Sequence, residues 1–228
     1  MSEVSSVLIE TRNLTRILPL EVPVTLVEDV SLSIDAGQFV SITGPSGSGK
    51  SSLLYLLGLL DQPSEGQVFI DGQDVTKLSS QDLCRIRLKK LGFVFQFHFL
   101  LSEFTILENV RVPMRKLAKW PEKEQIERAE KILEDLGMED HLHKHPFQLS
   151  GGQRQRVAVA RAVANEPLVV LADEPTGNLD TKNSDIVRDI FRDLVRTHRT
   201  TVVMVTHDLE LAAQTDRRVH LVDGRVVS

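Results

Sequence analysis

Cysteine is almost missing from this chain: Cys84 stands alone, so no intramolecular disulfide can form and a reducing compartment is the natural setting. Aromatic residues make up only 5% of the positions, so a local cluster of them stands out. Long hydrophobic runs are absent too. The longest, Leu53 to Leu60, is interrupted by Gly58, and a bilayer span takes about 20 residues. Basic residues are in deficit, 27 against 32 acidic, for a net charge of −5. Affinity for a phosphate backbone needs an excess of Lys and Arg, so no nucleic-acid partner is expected. Arg85, Arg87, Lys89 and Lys90 form a small basic group that reads as a solvated helix face. Met1 to Glu10 has no basic stretch followed by an apolar one, so no secretory leader is expected and the chain reads as cytosolic.

With 228 residues, the chain can bury a proper core. Phe39 to Thr43 is a short apolar strand ending in a glycine-rich turn, and Lys50 to Leu60 reads as a buried helix. Val68 to Ile70, followed by Asp71-Gly72, reads as a strand and turn beside it. Leu168 to Ala172 and Thr201 to Val205 are continuous apolar runs, as in parallel strands covered on both faces. Between them Ile186, Val187, Ile190, Phe191, Leu194 and Val195 repeat at helical spacing. This is α/β alternation, closed by a hairpin over Val219 to Val222 and Arg225 to Val227. No strand-like run appears between Ser102 and Leu149, whereas Pro121 opens a charged helix that Gly137 stops. A helical insertion is therefore expected, with the sheet resuming after Asn165.

Gly44-Pro45-Ser46-Gly47-Ser48-Gly49-Lys50-Ser51 matches the P-loop pattern in full, between a strand and a helix. Its glycines let backbone N–H groups turn inward around phosphate oxygens, and the helix N-terminus adds its dipole. Lys50 would reach the outer phosphates and Ser51 would place its hydroxyl on Mg²⁺. The run Leu168 to Asp173-Glu174 puts two carboxylates at a strand's carboxyl end. Asp173 suits a metal held through water, and Glu174 suits a general base. Leu149-Ser150-Gly151-Gly152-Gln153 has the spacing of a capping box, with glycines that expose helix N-terminal N–H groups.

A P-loop, then Leu-Ser-Gly-Gly-Gln, then an apolar strand with Asp-Glu is the pattern of ABC-type ATPases, which the whole chain resembles. The resemblance implies an α/β, RecA-like P-loop core with an antiparallel β subdomain and an inserted α-helical subdomain. The chain would be a single domain, its core and β lobe at 1–95 and 165–228 and its helical signature lobe at 96–164. Gln96 falls at the family's Q-loop, Asn178-Leu179-Asp180 at its D-loop and His207 at its switch histidine. By the same resemblance, the P-loop residues with Ser52 bind MgATP, and Ser51, Gln96 and Asp173 attend Mg²⁺. Glu174, His207 and Gln96 serve catalysis. Ser150, Gly151, Gly152, Gln153 and Asp180 would complete the site of a second copy. One P-loop and one signature per chain therefore imply a dimer.

One position departs from the family: Leu14 to Leu26 holds no aromatic residue to stack on adenine, leaving Ile17 or Leu18 as an apolar platform. His141, His143 and His145 alternate in a loop without a fourth ligand, so no metal is expected there. Cys84 has no basic or redox context pointing to reactivity. Phe93, Phe95, Phe97, Phe99 and Phe104 cluster around Gln96. Phe93 and Phe95 are expected to fill the core from a strand, while exposed aromatics beyond them would form a socket for a partner's helix. This segment and Ala172 to Asp180 resemble the ATPases of lipoprotein-releasing (Lol) transporters, in a group with MacB-type exporters of drugs or peptides and the cell-division ATPase FtsE. That likeness implies two transmembrane permease subunits as partners and a place on the cytoplasmic face of the inner membrane, releasing lipoproteins. An FtsE-like module that signals without moving cargo is the alternative.

Overall fold

The structure, a computed structural model, describes residues Val7–Val227. The first six residues of the segment read as leaderless lie outside the described residues. In chain order the elements are β1 (Val7–Leu18), β2 (Val24–Asp35), β3 (Phe39–Thr43), α1 (Lys50–Leu57), β4 (Glu65–Ile70), β5 (Gln73–Asp74), α2 (Ser80–Lys90) and β6 (Leu91–Phe95). They continue with α3 (Ile106–Leu117), α4 (Glu122–Asp135), α5 (Gly151–Val163), β7 (Val169–Asp173), α6 (Thr181–Arg196), β8 (Thr201–Val205), α7 (Leu209–Ala212), β9 (Arg217–Val222) and β10 (Arg225–Val226).

Two sheets form. The larger runs β10-β9-β3-β8-β7-β6, parallel throughout except for the β9–β10 hairpin. Every residue of β3, β7 and β8 is buried, because helices or the second sheet cover both faces. The smaller sheet, β2-β1-β4-β5, is antiparallel. The pattern of residues does not single out its two twelve-residue strands. Their register shifts repeatedly, and Asn13 and Asp29 take left-handed backbone conformations, which breaks the period-two alternation that marks a strand. At one irregularity the buried Thr11 hydroxyl donates to Val30 O (3.0 Å) and accepts from Leu32 N (3.0 Å), satisfying backbone the ladder leaves free.

Helix α1 stops at Leu57, three residues short of the expected Leu60, because Gly58 caps it and Leu59 turns left-handed. Val68 and Ile70 belong to the antiparallel sheet and pack with Leu53, Leu54 and Leu57 of α1 in one core cluster. A second cluster on the opposite face of the parallel sheet joins α5 and α6 to it through Val159, Val187 and Phe191. A third draws only on residues from Ile106 to Ala164, among them Trp120, Leu133 and Met138. Helix α5 feeds both, with Val159 in the second and Val157 and Ala160 in the third. It lies so close to β6 that a Cβ on Gly92 would overlap the Ala162 carbonyl. The expected Pro121 start and Gly137 stop of α4 are both present, Gly137 with φ +64°.

Candidate functional site

The turn after β3 is built for close backbone approach. Gly44, Gly47 and Gly49 have φ of +147°, +79° and +92°, a region that L side chains rarely enter. A Cβ on Gly44 would overlap the Leu221 carbonyl and one on Gly49 the Leu26 carbonyl, whereas Gly47 faces open space. Helix α1 starts at Gly49 with no side-chain cap and no acidic residue in its first turn, so its first N–H groups and positive dipole end are left for an anion. Lys50 folds back, donating to the carbonyls of Gly44 (3.0 Å) and Pro45 (2.7 Å). The buried Ser48 hydroxyl has no protein partner.

Two strand ends face this turn. Asp173, the last residue of β7, accepts from Ser51 Oγ at Oδ1 (2.9 Å) and from the Tyr55 hydroxyl at Oδ2 (2.8 Å). Burial and the Asp173 carboxylate push the Tyr55 phenol up to about 12, so it stays a donor. Tyr55 was not legible as a site residue, although its spacing of four from Ser51 places both on one face of α1. Glu174 takes a left-handed backbone (φ +46°), and its Oε2 lies 3.0 Å from Nδ1 of His207, just after β8. An ionised carboxylate only accepts, so this bond puts the imidazole proton on Nδ1.

Gln96, just beyond β6, donates from Nε2 to Asn178 Oδ1 (3.1 Å), joining the segment expected as the Q-loop to the one expected as the D-loop. Beneath it, the buried Gln155 of α5 donates to the carbonyls of Phe95 (3.3 Å) and Pro175 (2.7 Å). At the head of α5 both bonds of the expected capping box form: Gln153 N donates to Ser150 Oγ (3.3 Å) and Ser150 N to Gln153 Oε1 (2.9 Å). Asp180 caps α6 by accepting from Asn183 N (2.8 Å), which holds its carboxyl below the usual range. A Cβ on Gly152 would overlap the Asn183 side chain, and the nearest atom to one on Gly151 belongs to Leu179. Within one chain the signature turn thus packs on the D-loop, while the P-loop glycines have Leu26 and Leu221 as neighbours.

Phe93 and Phe95 are half-buried, with Val94 between them fully buried; Phe93 packs against the first core cluster as expected, while Phe95 meets Tyr55 and Phe99. Phe97 and Phe99 are each 65% exposed. Of the three alternating histidines, His141 shares a hydrogen bond with Gln153 Nε2 (2.8 Å) and His145 stacks on Phe147. Arg87 Nη2 lies 2.8 Å from Cys84 Sγ, a basic neighbour the sequence reading did not find, placed one helical turn away. Arg87 also reaches the Leu59 carbonyl, Lys90 pairs with Asp71 and Arg85 with Asp82, so three of the four residues of that basic group are tied to the protein. Ile17 and Leu18 sit in the β1–β2 ladder opposite Thr25 and Val24.

A glycine-rich strand-to-helix turn facing two carboxylates at the end of one parallel strand, with a histidine after the neighbouring strand, defines an α/β P-loop nucleotide-hydrolase cassette. The sequence profile described as ABC transporter matches residues 27–177, and the chain belongs to that family as an ABC-type ATPase. It is 54% identical over 202 residues to the lipoprotein-releasing system ATP-binding protein LolD of Aquifex aeolicus, covering 89% of each chain. It is 50% identical to LolD 1 of Chlorobium chlorochromatii, over 89% of this chain and 82% of that one. Among solved structures, the ATP-binding cassette MJ0796, as a dimer in a post-hydrolysis state bound to ADP and Pi, superposes with a TM-score of 0.90 at 40% identity. That match covers 96% of this chain and 97% of the other.

Proposed function

We propose that this chain is the ATP-hydrolysing motor of a lipoprotein-releasing transporter, working as a pair of copies on two transmembrane permease subunits at the cytoplasmic face of the inner membrane. The observation that carries the reading is the convergence of the P-loop, the Ser51–Asp173 contact and the Glu174–His207 contact at the carboxyl ends of β3, β7 and β8. The likeness to LolD proteins supports the cargo, and the dimeric relative supports the pairing. No helix among the described residues is long and apolar enough to cross a membrane. The chain acts as one domain of two lobes, 1–95 with 165–228, and 96–164.

The backbone N–H groups of the P-loop segment Gly44-Pro45-Ser46-Gly47-Ser48-Gly49-Lys50-Ser51-Ser52, all but Pro45, which has none, would wrap the phosphates of ATP, with the Ser48 hydroxyl at hand. Lys50, now on two carbonyls, would turn its ammonium to the outer phosphates. The donor set fits Mg²⁺, which prefers hard oxygens: the Ser51 hydroxyl, Asp173 and the Gln96 amide oxygen would hold it, directly or through water. When bound, the ion neutralises phosphate charge as it shifts to the leaving group.

Glu174 accepts a proton from the attacking water as its oxygen bonds to the γ-phosphorus. The bond to the bridging oxygen breaks, and ADP and phosphate result. His207 orients Glu174 through Nδ1. Its ring would also contact the γ-phosphate and help orient the water beside Glu174. Ser150, Gly151, Gly152, Gln153 and Asp180 face a second copy's nucleotide, so closure waits on ATP and opening on product release.

The test is to purify the chain from membranes and identify what co-elutes, then reconstitute it with those subunits. ATP-dependent release of an acylated lipoprotein to a soluble acceptor is expected. Co-elution with a cell-division membrane protein, without release, would sink the transport reading in favour of an FtsE-like module.

A further inference from the structure

Asp173 has two carboxylate oxygens, and each has its own donor. Ser51 Oγ lies 2.9 Å from Oδ1 and the Tyr55 hydroxyl 2.8 Å from Oδ2. Both donors stand on α1, four residues apart, so they rise from one face of one rigid element. The carboxylate torsion of an aspartate is intrinsically broad, and a single hydrogen bond leaves the plane free to turn. Two donors on opposite oxygens fix that plane and aim Oδ1 at Ser51.

The Tyr55 ring is itself held. It meets Phe95 edge-on, with centroids 6.4 Å apart and planes at 66°, and Phe95 stacks on Phe93 at 6.0 Å and 5°. Phe99 closes on Phe95 from the other side at 5.5 Å. The ring is therefore seated by aromatic neighbours on β6 and its continuation, so its hydroxyl arrives at Asp173 with little freedom left to lose. Once a cation draws the Ser51 hydroxyl to itself, Tyr55 is the α1 donor still holding the carboxylate.

We propose that Tyr55 is a positioning residue for the divalent-cation site: it holds Asp173 by Oδ2 so that Oδ1 stays directed at Ser51 and the metal. The inference rests on the proposed role of Ser51 and Asp173 at Mg²⁺. It adds a residue that the motifs do not contain. Partners that orient metal-directed carboxylates commonly affect affinity about as much as a weak ligand does.

The experiment uses the full chain carrying Glu174→Gln to suppress turnover, with and without Tyr55→Phe. Binding of Mn²⁺ in the presence of ATP is followed by electron paramagnetic resonance, and ATP binding in excess EDTA is measured in parallel. Removing one charge-assisted hydrogen bond should weaken Mn²⁺ about tenfold and leave metal-free ATP affinity unchanged. Phenylalanine keeps the ring and its seat, so a purely structural role predicts no such selective loss. Unchanged Mn²⁺ affinity, or an equal loss of metal-free ATP binding, overturns the proposal. Asp173→Asn separates the two readings. If it weakens Mn²⁺ while Tyr55→Phe does not, only the Tyr55 role falls. If neither variant matters, the metal site assigned to Ser51 and Asp173 falls with it.

Discussion

Nδ1 of His207 lies 3.0 Å from Oε2 of Glu174, which ties the second residue past β8 to the residue after β7 across two neighbouring parallel strands. Both residues rest on fully buried strands, so the pair is held from below by the core although His207 itself is 68% exposed. Glu174→Gln should bind MgATP, lose about 10²- to 10³-fold in turnover and accumulate as a closed dimer on gel filtration. His207→Ala should fall in the same direction. The double variant should lose far less than the product of the two, because the residues act as a unit. Phosphate release under single turnover measures all three. A monomeric, fully active Glu174→Gln would refute the roles of both Glu174 and Ser150.

Alanine replacements should rank the P-loop glycines by what surrounds them. At Gly49 a Cβ meets both a left-handed backbone and the Leu26 carbonyl, whereas at Gly47 it meets only the backbone strain. Gly47→Ala should cost about 1 kcal/mol, and Gly49→Ala clearly more, in urea unfolding of the protein without nucleotide. Equal losses would mean that the β2 backbone yields freely.

The signature turn and the D-loop should be coupled through Gly152 and Asn183. Gly152→Ala pushes the Asn183 side chain away from Asp180, to which it is bonded at both carboxylate oxygens. A loss of about 1 kcal/mol is expected, largely restored when Asn183→Ala is added and the obstruction is gone. A double-mutant cycle by chemical denaturation reads the coupling, and additive losses would deny it.

His98 should lend the fold a sensitivity to mild acid. Burial first, and then the nearby Arg154 and Arg161, hold its imidazole below its ordinary value of 6.5, with a backbone hydrogen bond at Gly151 opposing them. A folded value below the unfolded one means that the unfolded chain binds more protons. The contribution is therefore fully present above pH 6.5 and is lost as pH falls through 6.5 towards the folded value. His98→Gln should flatten that part of the stability–pH profile, measured by urea midpoints between pH 8 and about pH 5. A profile of unchanged slope would assign the dependence elsewhere.

Phe97, 65% exposed beside Gln96, should matter to partners and not to the cassette alone. Phe97→Ala should leave the isolated protein folded and its basal ATPase intact. Assembly with the membrane subunits, read by co-purification, should fall by at least tenfold, as for truncated aromatic anchors elsewhere. Assembly and transport at wild-type levels would place the docking surface on another face.

The parts most legible in the sequence were those where local chemistry and tertiary role coincide. β3 and β8 have the boundaries their apolar runs predict, because strands buried on both faces are apolar nearly throughout, with only small hydroxyl residues such as Ser41, Thr43 and Thr201 between. The Ser150–Gln153 capping box forms as its spacing requires, since it depends on four consecutive residues. Strands β1 and β2 were hidden because their bulges break the alternation and a buried Thr11 repairs the ladder from a distance. Phe93 packs against the core as expected, yet it and Phe95 stay half-buried, because β6 is the edge of its sheet and alternate phenylalanines give no sign of how fully their face is covered.

By itself the sequence determined the P-loop, the acidic strand end, the signature and their order, because each is a short motif whose residues must be neighbours in the chain to do its chemistry. Only the tertiary structure decided that Tyr55 joins Ser51 on Asp173, that His207 reaches Glu174, and that Gln96 meets Asn178. Those contacts join residues up to 118 and 122 positions apart for Asp173, and 33 and 82 for the other two. Strand order and helix packing set such distances, and no local pattern along the chain encodes them.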